Sequence, residues 1–190
     1  SAPGGASRDV ELISGYVRDE FRTFHMMNGG KPVDLAGALE RLAPPGAERL
    51  YGTADEEESY LRLMSDWLFR MPSTFLAEAH QGASWVYELA WAPTPYLKAC
   101  HGLDVPLVFG TVHGEMASMM AAGSPDLERM SEQFRTAWTR FAATGDPGWP
   151  RHEPGSATTH VFDVEPADVD DPLAEARALW AGRDATLISS

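Results

Sequence analysis

Leu127, Met130, Phe134, Trp138 and Phe141 recur at intervals of three or four residues. That spacing gathers large apolar side chains into one stripe of a helix and marks the stripe as core. Ser124 is placed to cap the helix, Pro125 fits a first turn, and Gly145 with Pro147 ends it. A second segment obeys a different period. In SWVYELAW, Ser84 to Trp91, aromatic and β-branched residues put Trp85, Tyr87, Leu89 and Trp91 on one side at period two. Pro93 and Pro95 end that strand.

The remaining elements alternate in type. Val10 to Val17 reads as a short strand, followed by the polar step Arg18-Asp19-Glu20 and the aromatic residues Phe21 and Phe24. Asp34 caps a helix through Leu42, with Leu35, Leu39 and Leu42 on one face and Pro44-Pro45 as its stop. The acidic run DEEES starts a helix reaching about Phe69, and Pro72 starts another through Phe75, Leu76 and Ala79. Val105 to Phe109, VPLVF, reads as a short extended segment, THVFDV as a last strand, and Pro172 to Trp180 as a closing helix. Alternating strands and helices define an α/β class.

The 190 residues, 44% of them hydrophobic, suffice for one domain or part of a larger one. A formal charge of −13 repels nucleic acid and anionic membrane surfaces. The sequence shows no apolar run long enough to span a bilayer, so it reads as soluble, in the cytoplasm or secreted. A single cysteine, Cys100, excludes an internal disulfide and a cysteine-rich zinc cluster. SAPGGAS has the composition of a linker or cloning scar, which sets residues 1–9 apart from a domain over 10–190.

Among six histidines, His101 stands out, because it lies between strand-like segments beside the small residues Cys100 and Gly102. Loops at strand ends are where catalytic groups converge, and a catalytic imidazole needs a partner that fixes its tautomer. The bland alternative is a surface or helix-capping histidine. Glu20, after an apolar strand and flanked by aromatic residues, is the complementary carboxylate, although Arg18 and Asp19 equally suit a solvated turn. His101, Asp104, His113 and Glu115 carry metal-ligand chemistry, but their spacing matches no established motif. Cys100 reads as a small buried thiol rather than the partner of His101, since adjacent side chains diverge. Met116, Met119 and Met120 read as core or lid packing. No Gly-x-Ser-x-Gly elbow occurs, and GASWV, which runs into a strand, makes Ser84 a poor nucleophile.

Taken in order, these blocks resemble the C-terminal part of type B carboxylesterases, the group that includes bacterial para-nitrobenzyl esterases and, more distantly, cholinesterases. ISGYVRDEFRTF resembles the strand and turn bearing the family's triad acid, which falls on Glu20. LMSDWLFRMP resembles the helix over the substrate gorge, and SWVYELAW a strand of the central sheet. KACHGLDVPLVFG resembles the block bearing the general base, which falls on His101, and FRTAWTRFAATGDPGWP the family's late helix and its end. One position departs from the pattern: the residue after the acid, usually Gly, is Phe21.

The resemblance implies the late strands and packing helices of an α/β-hydrolase fold from a bacterial source. It implies a small-molecule ester as substrate, hydrolysis through an acyl-enzyme, and no cofactor or metal. His101 is the expected base, Glu20 its orienting acid, and Phe24, Met64 and Leu68 the expected pocket walls. The nucleophilic Ser and the glycine-rich oxyanion loop fall in the N-terminal portion of such enzymes, so this chain alone is expected to be inactive. The alternative implied by the cholinesterase relatives is a non-catalytic binding or interaction module.

Overall fold

In the computed structural model, residues 8–121, 123–153 and 155–181 are described. The chain runs β1 (Leu12–Val17), α1 (Phe21–Met27), α2 (Leu35–Leu42), α3 (Glu48–Tyr51), α4 (Glu56–Ser65), a π turn (Asp66–Arg70), α5 (Met71–Ala79) and β2 (Ser84–Leu89). It continues through α6 (Asp104–Phe109), α7 (Glu115–Ala121), α8 (Leu127–Thr144), β3 (Thr158–Phe162), β4 (Ala167–Asp170) and α9 (Ala174–Trp180). SAPGGAS lies outside the described residues.

The strands form one sheet in the order β1-β2-β3-β4. β1 and β3 both pair parallel with β2, and β4 closes antiparallel on β3. Parallel strands require long crossovers, and the helical segments between them supply these. β2 is buried along its whole length, because helices cover both faces. Trp85, Tyr87 and Leu89 face a core shared with Leu107, Met130 and Phe134 of α6 and α8. Val86 faces the opposite core, with Tyr16, Tyr51, Leu63, Met71 and Trp180. The period-two and three-or-four patterns therefore meet in one layer, where Phe134 stacks on Phe162 with ring centroids 4.0 Å apart. Gly15 lies opposite Tyr87, and a Cβ there would sit 2.2 Å from two ring carbons. Only glycine lets that ring lie against the strand.

Several expectations need correction. VPLVF is helical, not extended: it forms most of α6. Its β-branched composition suggests strand, but Pro106 falls in the first turn, where no amide hydrogen is needed. Gly110 then closes the helix in the left-handed conformation at φ 66°. Pro106 and Leu107 are buried while Val105 and Phe109 are exposed, a helical and not an alternating burial. THVFDV is not the last strand, since the exposed β4 follows it. The helix from DEEES and the helix at Pro72 are joined rather than separate, because the π turn carries the backbone from α4 into α5 without a break. The cap position of α8 falls on Asp126, two residues past Ser124. Elsewhere Asp34 and Asp55 cap α2 and α4 by accepting from the amides of Gly37 and Glu58.

Candidate active site

β1 and β2 end side by side, and the pairing continues one step beyond them. The amide of Arg18 donates to the Leu89 carbonyl at 2.9 Å, and that of Asp19 to the Ala99 carbonyl at 2.8 Å. Asp19 and Cys100 thereby form a parallel bridge, although residues 90–98 loop away in between. The next residue on each strand is Glu20 on one side and His101 on the other. A register set by main-chain hydrogen bonds thus brings together two side chains 81 positions apart. They sit at the carboxyl ends of adjacent parallel strands, the usual place for a ligand in an open α/β sheet.

Glu20 is buried and immobilised. One oxygen, Oε1, accepts from the Val17 amide at 2.8 Å, and the other, Oε2, lies 2.6 Å from His101 Nδ1. A carboxylate only accepts, so Nδ1 carries the hydrogen and donates it. This leaves Nε2 as the basic nitrogen. The same short contact raises the His101 pKa, with the nearby Glu20 and Asp104 charges adding to it against partial desolvation. The His101 side chain keeps 43% of its accessible surface, so a reactant can reach it.

Two phenyl rings wall the imidazole. Phe24 of α1 and Phe69 of the π turn each lie 4.9 Å from it, centroid to centroid, and stack on one another at 5.8 Å. The sequence points to Phe24 but not to Phe69; it points instead to the neighbouring Leu68, which is exposed on the same turn. Met64 is buried in α4. Turns of the π type cluster at functional sites, and this one moves the helical register by a residue just where Phe69 meets His101. Phe21, in the position where the related pattern has Gly, donates its amide to Ser65 Oγ at 3.0 Å and sets its ring against Tyr60. The bonds of Glu20 are unaffected by it.

The other candidates have different engagements. Asp104 accepts from the Tyr87 hydroxyl at 3.0 Å, and His113 lies 3.2 Å from Glu128 on the surface. Among the described residues no three His, Cys, Asp or Glu side chains converge as a metal group would require. Cys100 is fully buried, and burial pushes its thiol pKa up, which keeps it protonated and unreactive. Ser84 is buried inside β2. Of the methionines, Met120 enters the core while Met116 and Met119 are exposed.

The sheet order, its two-sided helical cover and the loops at its carboxyl end define an α/β-hydrolase fold. The family model described as Carboxylesterase family matches residues 47–165. The para-nitrobenzyl esterase of Bacillus subtilis (strain 168) is 32% identical over 186 residues, covering 91% of this chain and 38% of the relative. The liver carboxylesterase of Sus scrofa is 24% identical over 144 residues, covering 65% of this chain and 24% of its own length. A solved PNB esterase superposes with a TM-score of 0.77 at 30% identity, covering 92% of this chain and 39% of that one. A Geobacillus stearothermophilus carboxylesterase superposes at 0.80 with 25% identity, covering 93% and 41%. The chain belongs to the carboxylesterase family, on its type B, para-nitrobenzyl esterase-like branch. It spans about two fifths of the length of the bacterial esterases it matches. No described helix is long and apolar enough to cross a membrane.

Proposed function

We propose that this chain supplies the acid and the base of a Ser-His-Glu triad that hydrolyses carboxylic esters in the complete protein. The observation that carries the reading is the 2.6 Å contact from His101 Nδ1 to Glu20 Oε2. With Nδ1 committed, His101 Nε2 takes the proton of a serine hydroxyl as its oxygen attacks the ester carbonyl. The protonated ring then gives that proton to the departing alcohol, leaving an acyl-enzyme. Water repeats the sequence and releases the carboxylic acid. Glu20 fixes the tautomer and stabilises the imidazolium; it does not itself take the proton. Phe24 and Phe69 keep one side of the ring apolar, and with Met64 and Leu68 they are the proposed walls of an acyl or alcohol pocket.

The nucleophilic Ser and the oxyanion donors are assigned to an N-terminal portion of the hydrolase. The share of the relatives that this chain spans supports that assignment, as does the position of β1 at one edge of the sheet that the described residues form. The 190 residues by themselves are therefore expected to be inactive. The test is fluorophosphonate labelling of the product of the complete reading frame. Labelling that His101→Ala abolishes supports the reading. A product that contains no Gly-x-Ser-x-Gly and does not label overturns it in favour of a non-catalytic module.

A further inference from the structure

The two segments that carry Glu20 and His101 are joined by one carboxylate from a third element. Arg22 follows Glu20 closely on α1, Lys98 precedes His101 in the loop that returns to the parallel bridge, and Glu58 stands in the first turn of α4. Both oxygens of Glu58 accept from Arg22 Nη2 at 2.6 Å and from Lys98 Nζ at 3.3 and 3.2 Å. Arg22 is buried and also lies 3.7 Å from Asp19, whose Oδ2 accepts from the Ala99 amide at 3.4 Å. Arg22 foremost, with Lys98, lowers the Glu58 pKa against partial desolvation, so the carboxylate stays charged between its two cations. The same α4 runs on into the π turn that sets Phe69 against His101.

The backbone at Lys98 is an independent sign that this joint matters. Its φ is 51°, and among the described residues only Lys98 and Asp171 adopt a positive φ without being glycine. A side chain makes that left-handed conformation costly; it persists where surrounding contacts determine it, and such residues cluster at active sites. Here the contacts are the Lys98 amide, which donates to the Thr94 carbonyl at 3.0 Å, and Nζ on Glu58. An ion pair whose side chains keep 37% and 43% of their surface adds little to stability. A small misplacement of a catalytic base, by contrast, costs much in rate. We propose that Glu58 is a positioning residue for the acid–base pair: by binding Arg22 and Lys98 at once, it fixes the segment bearing Glu20 against the segment bearing His101. This role rests on the Ser-His-Glu reading and adds to it a residue that acts only through its neighbours.

The test is fluorophosphonate labelling of the complete protein at several probe concentrations, together with the His101 Nδ1–H signal in NMR spectra. In Glu58→Gln the maximal labelling rate should fall about tenfold while the half-saturating probe concentration stays the same, because orientation and not binding is lost. The Nδ1–H signal should broaden through faster exchange with water. Lys98→Gln should give part of that loss, Lys98→Arg should keep the parent rate, and Lys98→Gln added to Glu58→Gln should lose nothing further. The control is Glu165→Gln, which removes an exposed carboxylate paired with Arg129 at 2.9 Å and leaves labelling unchanged. A parent rate with an unchanged Nδ1–H signal in Glu58→Gln overturns the proposal, as does a loss confined to probe binding or one that vanishes when rates are taken per folded molecule. Where Glu58→Gln does not fold, equal rates in Lys98→Gln and the parent overturn it. Labelling of the parent that survives His101→Ala refutes the triad reading instead, and the Nδ1–H comparison then decides the positioning role by itself.

Discussion

Glu20→Gln tests the acid–base pair more sharply than deletion of the histidine, because it preserves shape while replacing a charged acceptor oxygen by a neutral donor NH2. The Gln carbonyl oxygen can still accept from the Val17 amide, as Glu20 Oε1 does at 2.8 Å. Its amide nitrogen then faces His101 Nδ1 and brings a second donor to a nitrogen that already carries one. The imidazole relieves that clash by moving its hydrogen to Nε2, so that Nδ1 accepts and no basic nitrogen is left for a serine. A charge-assisted bond is worth about 1.5–3 kcal/mol when buried. The His101 ring is 43% accessible, and solvent screening trims the stability cost toward about 1 kcal/mol. The functional cost is larger because it is a matter of tautomer: about 10⁴ in turnover when a triad carboxylate becomes an amide. The assay is the fluorophosphonate labelling rate of the complete protein, with ring-nitrogen NMR to read the tautomer. A variant that labels at the parent rate, or that keeps its hydrogen on Nδ1, would refute the role assigned to Glu20.

Two further outcomes follow from the same geometry. The His101 pKa is raised above its ordinary value of 6.5, so the pair adds stability that is fully present below pH 6.5 and is lost as pH rises through the folded-state value. The melting-temperature gap between the parent and Glu20→Gln should therefore be wider at about pH 5.5 than at about pH 9, while labelling falls on the acid side as His101 is protonated; an equal gap at both ends would contradict the linkage. Gly15→Ala forces a Cβ to within 2.2 Å of the Tyr87 ring, which is buried against Phe134, Trp138 and Phe162 and cannot swing clear. Urea titration should show a loss of about 1–3 kcal/mol, the usual cost of overpacking, and an unchanged midpoint would show that the strand yields instead.

What is legible in the sequence is whatever depends on short periods. SWVYELAW declares its two faces in consecutive residues, and the α8 stripe repeats often enough to outweigh its exposed arginines and glutamates. β4 is not legible, because all four residues of ADVD are exposed and no apolar alternation is left to read. The π turn is hidden for a different reason: DWLFR has ordinary helical composition, and only packing tells where the extra residue is inserted. That one-residue shift separates the expected Leu68 from Phe69, which touches the imidazole. The Arg22-Glu58-Lys98 cluster joins residues 36 and 40 positions apart, a separation at which charge patterning along the chain carries no signal.

Glu20 and His101 are found by resemblance more than by spacing, yet the structure supplies a physical reason for their pairing that stands without it. Each follows a residue of the same parallel bridge, so sheet register alone sets their approach before either side chain chooses a rotamer. Glu20 is then held by a backbone amide, and the imidazole between two rings and a carboxylate. Orientation is the part of triad catalysis that a scaffold must prepare in advance. The main-chain register, the Val17 amide and the Glu20–His101 bond together commit Nδ1, and in the proposed triad a serine presented at His101 Nε2 would meet a base whose tautomer is already decided.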